Sequence, residues 1–209
     1  MSGARLLYLH GFASGPGSQK AQYFRRQFAA CGRDLEIPDL AEGNFENLTI
    51  SGQLGVVGRA ARGEPVTLLG SSMGGYLAAL YAARHSEVER VVLMAPAFGF
   101  ARRWTSTLAA ATLAEWRRTG FLEMYHYGEQ RPAKVSYKLI EDGERYEDYP
   151  DFSQPALIFH GRADDTVPVA YSQELAASHR HARLEVFESD HELLDVLDRM
   201  WDQTRQFVR

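Results

Sequence analysis

Ser72 stands at the centre of Gly70-Ser71-Ser72-Met73-Gly74, a G-x-S-x-G pattern. On a very tight strand-to-helix turn, the residues two before and two after a serine come too close for side chains, which calls for the flanking glycines. Centring the pattern on Ser71 would require glycines at Leu69 and Met73, so Ser72 is the candidate nucleophile. The turn also puts Ser72 at a helix N-terminus, where free N–H groups and the helix dipole favour developing negative charge.

A serine hydroxyl attacks well only when a base takes its proton, and a histidine base needs a carboxylate to hold its tautomer. Of the seven histidines, His191 is best placed, after the last apolar run and the turn Glu188-Ser189-Asp190. The stretch His160-Gly161-Arg162-Ala163-Asp164-Asp165-Thr166-Val167-Pro168 follows another apolar run and supplies two carboxylates, Asp164 and Asp165. A tetrahedral intermediate further needs backbone N–H donors for its oxyanion. Met73, next after the nucleophile, offers one; the loop after the first apolar run offers the other at Phe12, following His10-Gly11. His10 is a possible base or substrate contact, but shaping this loop through hydrogen bonds is the better-fitting role.

These residues need elements to carry them. Leu6 to Leu9, Val66 to Leu69, Val91 to Met94, Ala156 to Phe159 and Leu184 to Phe187 read as strands, with a short one at Leu35 to Ile37. Helical spacing appears at Ala21, Phe24, Phe28 and Cys31, closed by Gly32. It recurs at Ile50, Leu54, Val57 and Ala61, from Met73 to about Arg84, and from Ala170 to Ser178. A closing helix shows Leu193, Leu197, Met200, Thr204 and Phe207 on one face. Strands alternating with helices predict a mostly parallel sheet covered on both faces, with ligands bound beyond the strands' carboxyl ends. Each candidate residue above falls at such an end. Residues 101–151 break the alternation: Trp104, Leu108, Leu113 and Trp116 read as helical, and Met124 to Gly128 with Ala133 to Tyr137 as a hairpin. We expect one domain over 1–209 with a cap insertion at about 101–151.

Composition narrows the function classes. The chain has 209 residues, 45% hydrophobic and 24% charged, with a net charge of −4 and scattered arginines, so no basic face points to nucleic acid. The one cysteine, Cys31, falls in phase with the first helix and is expected as a buried thiol in a reducing, cytoplasmic setting. No apolar run is long enough to predict a membrane span. No group of residues has metal-ligand spacing, and no metal or organic cofactor is expected.

The stretches LLYLHGFASGPGSQKA, GSSMGGYLA, HGRADDTVP and SDHEL together resemble the α/β-hydrolase superfamily in its small-esterase branch. They are similar to those of compact bacterial esterases, and of the mammalian mitochondrial hydrolase that deacylates protein cysteines and acyl glucuronides. Serine, aspartate, histidine is that superfamily's chain order. The resemblance implies Ser72 as nucleophile, Asp164 as the acid and His191 as the base, with the oxyanion on the N–H groups of Phe12 and Met73. Many relatives begin with two extra antiparallel strands, whereas here the H-G strand starts at residue 5, which implies a minimal sheet of about six strands.

The expected activity is cleavage of a small-molecule acyl ester or thioester through an acyl-enzyme. A peptidase or acyltransferase with the same triad, and a non-catalytic binding module on this fold, are the alternatives; a binding module would not need all three triad residues. Candidate substrate contacts are His10, Phe98, Trp104, Trp116 and Met124, against the alternative that the aromatic residues pack the cap onto the core. Lys20 reads either as a contact to a polar substrate group or as an exposed helix-start lysine.

Overall fold

Along the first strand, β1 (Arg5–Leu9), successive side chains face opposite ways: Leu6 and Tyr8 join one apolar cluster, Leu7 and Leu9 another. The chain's architecture follows from that division. In the computed structural model, which describes residues 4–209, β1 leads through α1 (Gln19–Ala30) to β2 (Leu35–Glu36) and then α2 (Ile50–Ala61). β3 (Val66–Ser71), α3 (Met73–Ala82) and β4 (Val88–Met94) follow. After an excursion come β7 (Ala156–Gly161), α7 (Ala170–Ser178), β8 (Ala182–Phe187) and α8 (Leu197–Phe207).

These six strands form one parallel sheet in the order β2-β1-β3-β4-β7-β8. β3 and β7 are buried along their whole length, as uninterrupted apolar strands of a sheet covered on both faces must be. α1 and α8 cover one face with Phe24, Phe28, Met200 and Trp201; α2, α3 and α7 cover the other. The six-stranded α/β architecture agrees with the sequence expectation. α2 forms despite three glycines, because Thr49 caps it through Gly52 N–H at 3.0 Å and one face carries Ile50, Val56, Val57 and Ala60 into the core.

The excursion between β4 and β7 holds α4 (Phe100–Thr107), α5 (Ala110–Thr119), an antiparallel hairpin of β5 (Phe121–His126) and β6 (Arg131–Ser136), and α6 (Lys138–Gly143). The hairpin overlaps the segments Met124 to Gly128 and Ala133 to Tyr137 expected to form one, with both strands starting and ending earlier in the chain. Trp116, Val135, Leu139 and Ile140 bury this segment against the α2–α3 face.

Two expectations are corrected. Cys31 is exposed, because α1 ends at Ala30 and the backbone leaves the helical path at Cys31 (φ −96°, ψ 10°), turning the thiol off the stripe. Leu193 is buried but precedes α8: it adopts a left-handed conformation (φ 56°), followed by a short 3-10 turn, and the helix begins at Leu197. No helix among the described residues is long and apolar enough to cross a membrane.

Candidate active site

Ser72 occupies the turn between β3 and α3 with φ 53° and ψ −116°, a conformation that side-chain-bearing residues rarely adopt. Its surroundings over-determine that strain. Ser72 N–H donates to Met94 O at 2.8 Å, while Ser72 O accepts from Gly75, Tyr76 and Ala97 N–H at 3.0, 3.1 and 3.0 Å. A Cβ on Gly70 would run into the Gly74 carbonyl, and one on Gly74 into the Leu9 carbonyl, so the two glycines let β1, β3 and α3 close on one point. The Ser72 side chain stays half-exposed.

His191 and Asp164 arrive from neighbouring strand ends. Asp164 follows β7 and its side chain is fully buried; His191 follows β8 and its side chain is 15% exposed. His191 Nδ1 lies 2.7 Å from Asp164 Oδ2. A carboxylate only accepts, so Nδ1 carries the proton and Nε2 presents a free lone pair. Asp190 Oδ1 accepts from Glu192 and Leu193 N–H at 2.9 and 3.2 Å, which shapes the turn around His191.

Asp164 has further partners that the sequence does not announce. Oδ1 accepts from Thr166 and Val167 N–H at 2.9 and 2.7 Å. His160 Nε2 lies 3.1 Å from Oδ2 and 2.8 Å from Val167 O, and its Nδ1 lies 2.7 Å from Ser172 Oγ. Burial alone would raise the Asp164 pKa, but the hydrogen bonds from His160, His191 and Val167 outweigh it and hold the carboxyl far below the usual range. Asp165 is exposed and, among the described residues, accepts only from Thr166 Oγ1, at 3.2 Å.

The loop after β1 closes over the elbow. A Cβ on Gly11 would lie 3.6 Å from Ser72 Cβ, so the H-G segment passes directly beside the serine. His10 is 4% exposed; its Nδ1 donates to Gly11 O at 3.0 Å and its Nε2 accepts from Leu40 N–H at 3.2 Å. Holding the Gly11 carbonyl turns the other end of that peptide, the Phe12 N–H, the opposite way. Burial pushes the His10 pKa down, which keeps the ring neutral for this pairing. Among the described residues, no protein acceptor takes the N–H of Phe12 or Met73, and the Ser72 hydroxyl makes no hydrogen bond. Asp164 and His191 are thus paired, and Ser72 and the Phe12 loop are adjacent.

The remaining candidates divide by burial. Phe98 and Trp116 are 0% and 1% exposed, within the core; Trp104 and Met124 are half-exposed. Trp104 packs edge-on to the Phe12 ring at 5.0 Å. Lys20 is not an exposed helix-start residue: it is 5% exposed, and it feels the negative charges of Glu192, Asp164 and Asp190. Burial first, against those carboxylates, lowers its pKa to about 8. Arg103 from α4 donates to Thr166 O at 2.6 Å, tying the excursion to the Asp164 loop, a contact with no sequence signal. Two surface clefts of about 300 and 340 Å³, one beside Arg33 and one between α2 and α3, contain none of these residues.

A family model described as an uncharacterised protein family, UPF0227, matches residues 5–208. No curated protein shows significant sequence similarity to the chain. Among solved structures, a candidate hydrolase from Agrobacterium vitis S4 is 27% identical, with a TM-score of 0.82 over 99% of this chain and 88% of that one. Mouse alpha/beta hydrolase domain-containing protein 10 is 19% identical (TM-score 0.81; 100% of this chain, 91% of that one). Est1E from Butyrivibrio proteoclasticus, solved with ferulic acid bound, is 16% identical (TM-score 0.81; 98% and 87%). By the match over nearly its whole length and by this shared architecture, the chain belongs to the UPF0227 family and has the α/β-hydrolase fold.

Proposed function

We propose that the protein is a serine hydrolase that cleaves carboxylic ester or thioester bonds of small to medium acyl substrates through an acyl-enzyme. The observation that carries this reading is the 2.7 Å His191–Asp164 pair at the same sheet end as the strained Ser72. His191 Nε2 takes the Ser72 proton as Oγ attacks the acyl carbon, and the tetrahedral oxyanion is held by Phe12 and Met73 N–H groups. His191 then protonates the leaving alcohol or thiol, and later deprotonates the water that releases the acid. Trp104, half-exposed and packed edge-on to Phe12, offers an apolar wall for the acyl group. A structure of the same fold, Est1E from Butyrivibrio proteoclasticus, has ferulic acid bound, which supports a carboxylic acyl group of modest size.

Labelling with a fluorophosphonate probe tests the reading whatever the natural substrate is. Wild type is expected to label at one site and Ser72→Ala not at all; equal labelling of the two would remove Ser72 as nucleophile. A panel of p-nitrophenyl esters and acyl thioesters of graded length then identifies the acyl group. Ser72→Ala should lose about 10⁴-fold or more of the activity on the best of them.

A further inference from the structure

The oxyanion loop is held from outside by the tip of the β5–β6 hairpin. Gly128 N–H, in the hairpin turn, donates to Ala13 O at 3.2 Å. Ala13 follows Phe12 directly and has a left-handed backbone (φ 52°), which an alanine holds only when its neighbours fix it. The contact is close: a Cβ on Gly128 would lie 3.0 Å from Ser14 C and 3.1 Å from Gly15 N, both backbone atoms that move only with the whole loop. Glycine serves here for close approach and not for its conformation, since its φ is not left-handed: a side chain would press the Ser14–Gly15 backbone away by a few tenths of an ångström.

A second contact reaches the same place through side chains. His126, 4% exposed at the end of β5, accepts from Glu129 N–H at 3.0 Å, which pins the hairpin turn. Its ring meets Phe45 edge-on at 4.5 Å, and Phe45 packs against Phe12 at 5.3 Å. The hairpin therefore holds the loop at two successive residues: at Phe12, whose N–H is the proposed donor, through the Phe45 ring, and at the Ala13 carbonyl just after it through a backbone hydrogen bond.

We propose that the hairpin tip completes the oxyanion hole, with Gly128 as a positioning residue that holds the Phe12 N–H in its working direction. Docking of the excursion and formation of the hole are then a single event. The proposal rests on the serine-hydrolase reading, and a phosphonyl oxygen occupies the hole when Ser72 is labelled, so labelling rates report on both. Gly128→Ala is expected to label about 10- to 100-fold more slowly than wild type. Tyr127→Ala, at an exposed side chain of the same turn, is expected to label at the wild-type rate. On an ester that wild type hydrolyses, Gly128→Ala lowers kcat with KM within about twofold, because the hole is filled only in the transition state.

A Gly128→Ala protein that labels at the wild-type rate overturns the clamp alone. A folded wild type that does not label overturns the serine reading and the clamp with it. Should Gly128→Ala not fold, amide exchange on wild type decides: by linkage, occupying the hole must tighten the clamp, so labelling Ser72 slows exchange at Gly128. Exchange left unchanged by labelling overturns the proposal.

Discussion

Asp164 is the residue on which the site's electrostatics converge. It accepts from two backbone N–H groups on one oxygen and meets two histidines on the other. Asp164→Asn keeps the shape but turns an amide N–H₂ or a weaker acceptor toward two ring N–H groups. His191 is then free to carry its proton on Nε2, where it cannot serve as base. We expect a loss of about 10⁴-fold in esterase rate, with a stability cost of about 2–4 kcal/mol from the broken buried charge-assisted bonds. Asp165→Asn, at an exposed side chain, should stay within about threefold; side-by-side assay of the two checks this, and a larger loss at Asp165 would reassign the acid. At this scale the sequence was informative where chemistry leaves a pattern, as in the glycines around Ser72; between Asp164 and Asp165 the residues alone did not choose, and only the family resemblance of HGRADDTVP implied Asp164. It was silent on His160 as a partner of Asp164, although a histidine closing the apolar run Ala156-Leu157-Ile158-Phe159 is the signal that would have flagged it. Lys20 was ambiguous because burial at the start of α1 depends on which segments far away in the chain pack over it, and no local pattern records that.

Among elements, strands buried on both faces were the most legible, since their apolar runs are short for a helix and end in turn-forming residues, which decides between strand and buried helix where periodicity cannot. The excursion between β4 and β7 was legible as a break in alternation and as a hairpin. The six-residue α6 was not, being too short to show a period. The start of α8 was misplaced because Leu193 reaches the same core from a left-handed turn, so burial continued the helical pattern without the helix. Trp116 is the pin of the excursion. Its ring lies between Trp104 and Tyr137 at 5.0 and 5.3 Å, and its Nε1–H donates to Val135 O at 3.1 Å, joining α5 to β6. Trp116→Ala should cost about 3–5 kcal/mol, and Trp116→Phe, which keeps a ring but loses the bond to Val135, about 1–2 kcal/mol. Urea unfolding measures both. Since the hairpin holds the oxyanion loop, Trp116→Ala should also slow fluorophosphonate labelling while Trp116→Phe leaves it close to wild type. A Trp116→Phe protein with wild-type stability but a raised KM would instead make Trp116 a substrate contact.

For the molecule as a whole, buried ionisable groups set how stability responds to pH. Lys20 titrates at about 8 in the folded chain against an ordinary value of 10.5, because burial outweighs its carboxylate neighbours. Between those two values the unfolded chain binds a proton that the folded chain does not, so stability rises with pH across that window. Below pH 8 the full cost of burying the ammonium is present, on the order of 3 kcal/mol. The tyrosines act in the opposite sense. Burial pushes Tyr23 and Tyr81 up to about 12, and pushes Tyr8, Tyr76 and Tyr149 higher still. Above their ordinary value of 10.0, the unfolded chain sheds phenol protons that the folded chain keeps, so stability falls as pH rises further. Melting temperature scanned from pH 7.5 to 11 is therefore expected to climb from about 8, peak at about 9, where the five tyrosines together begin to outweigh the one lysine, and then drop. Lys20→Met removes the charge and keeps a chain of similar length. It should raise Tm at pH 7.5 by about 5–10 °C and flatten the climb, leaving the alkaline fall intact. A Lys20→Met protein that melts lower at pH 7.5 would mean that Glu192, Asp164 and Asp190 bind the ammonium more strongly than burial opposes it, making Lys20 a brace for the His191 loop rather than a cost carried beside it.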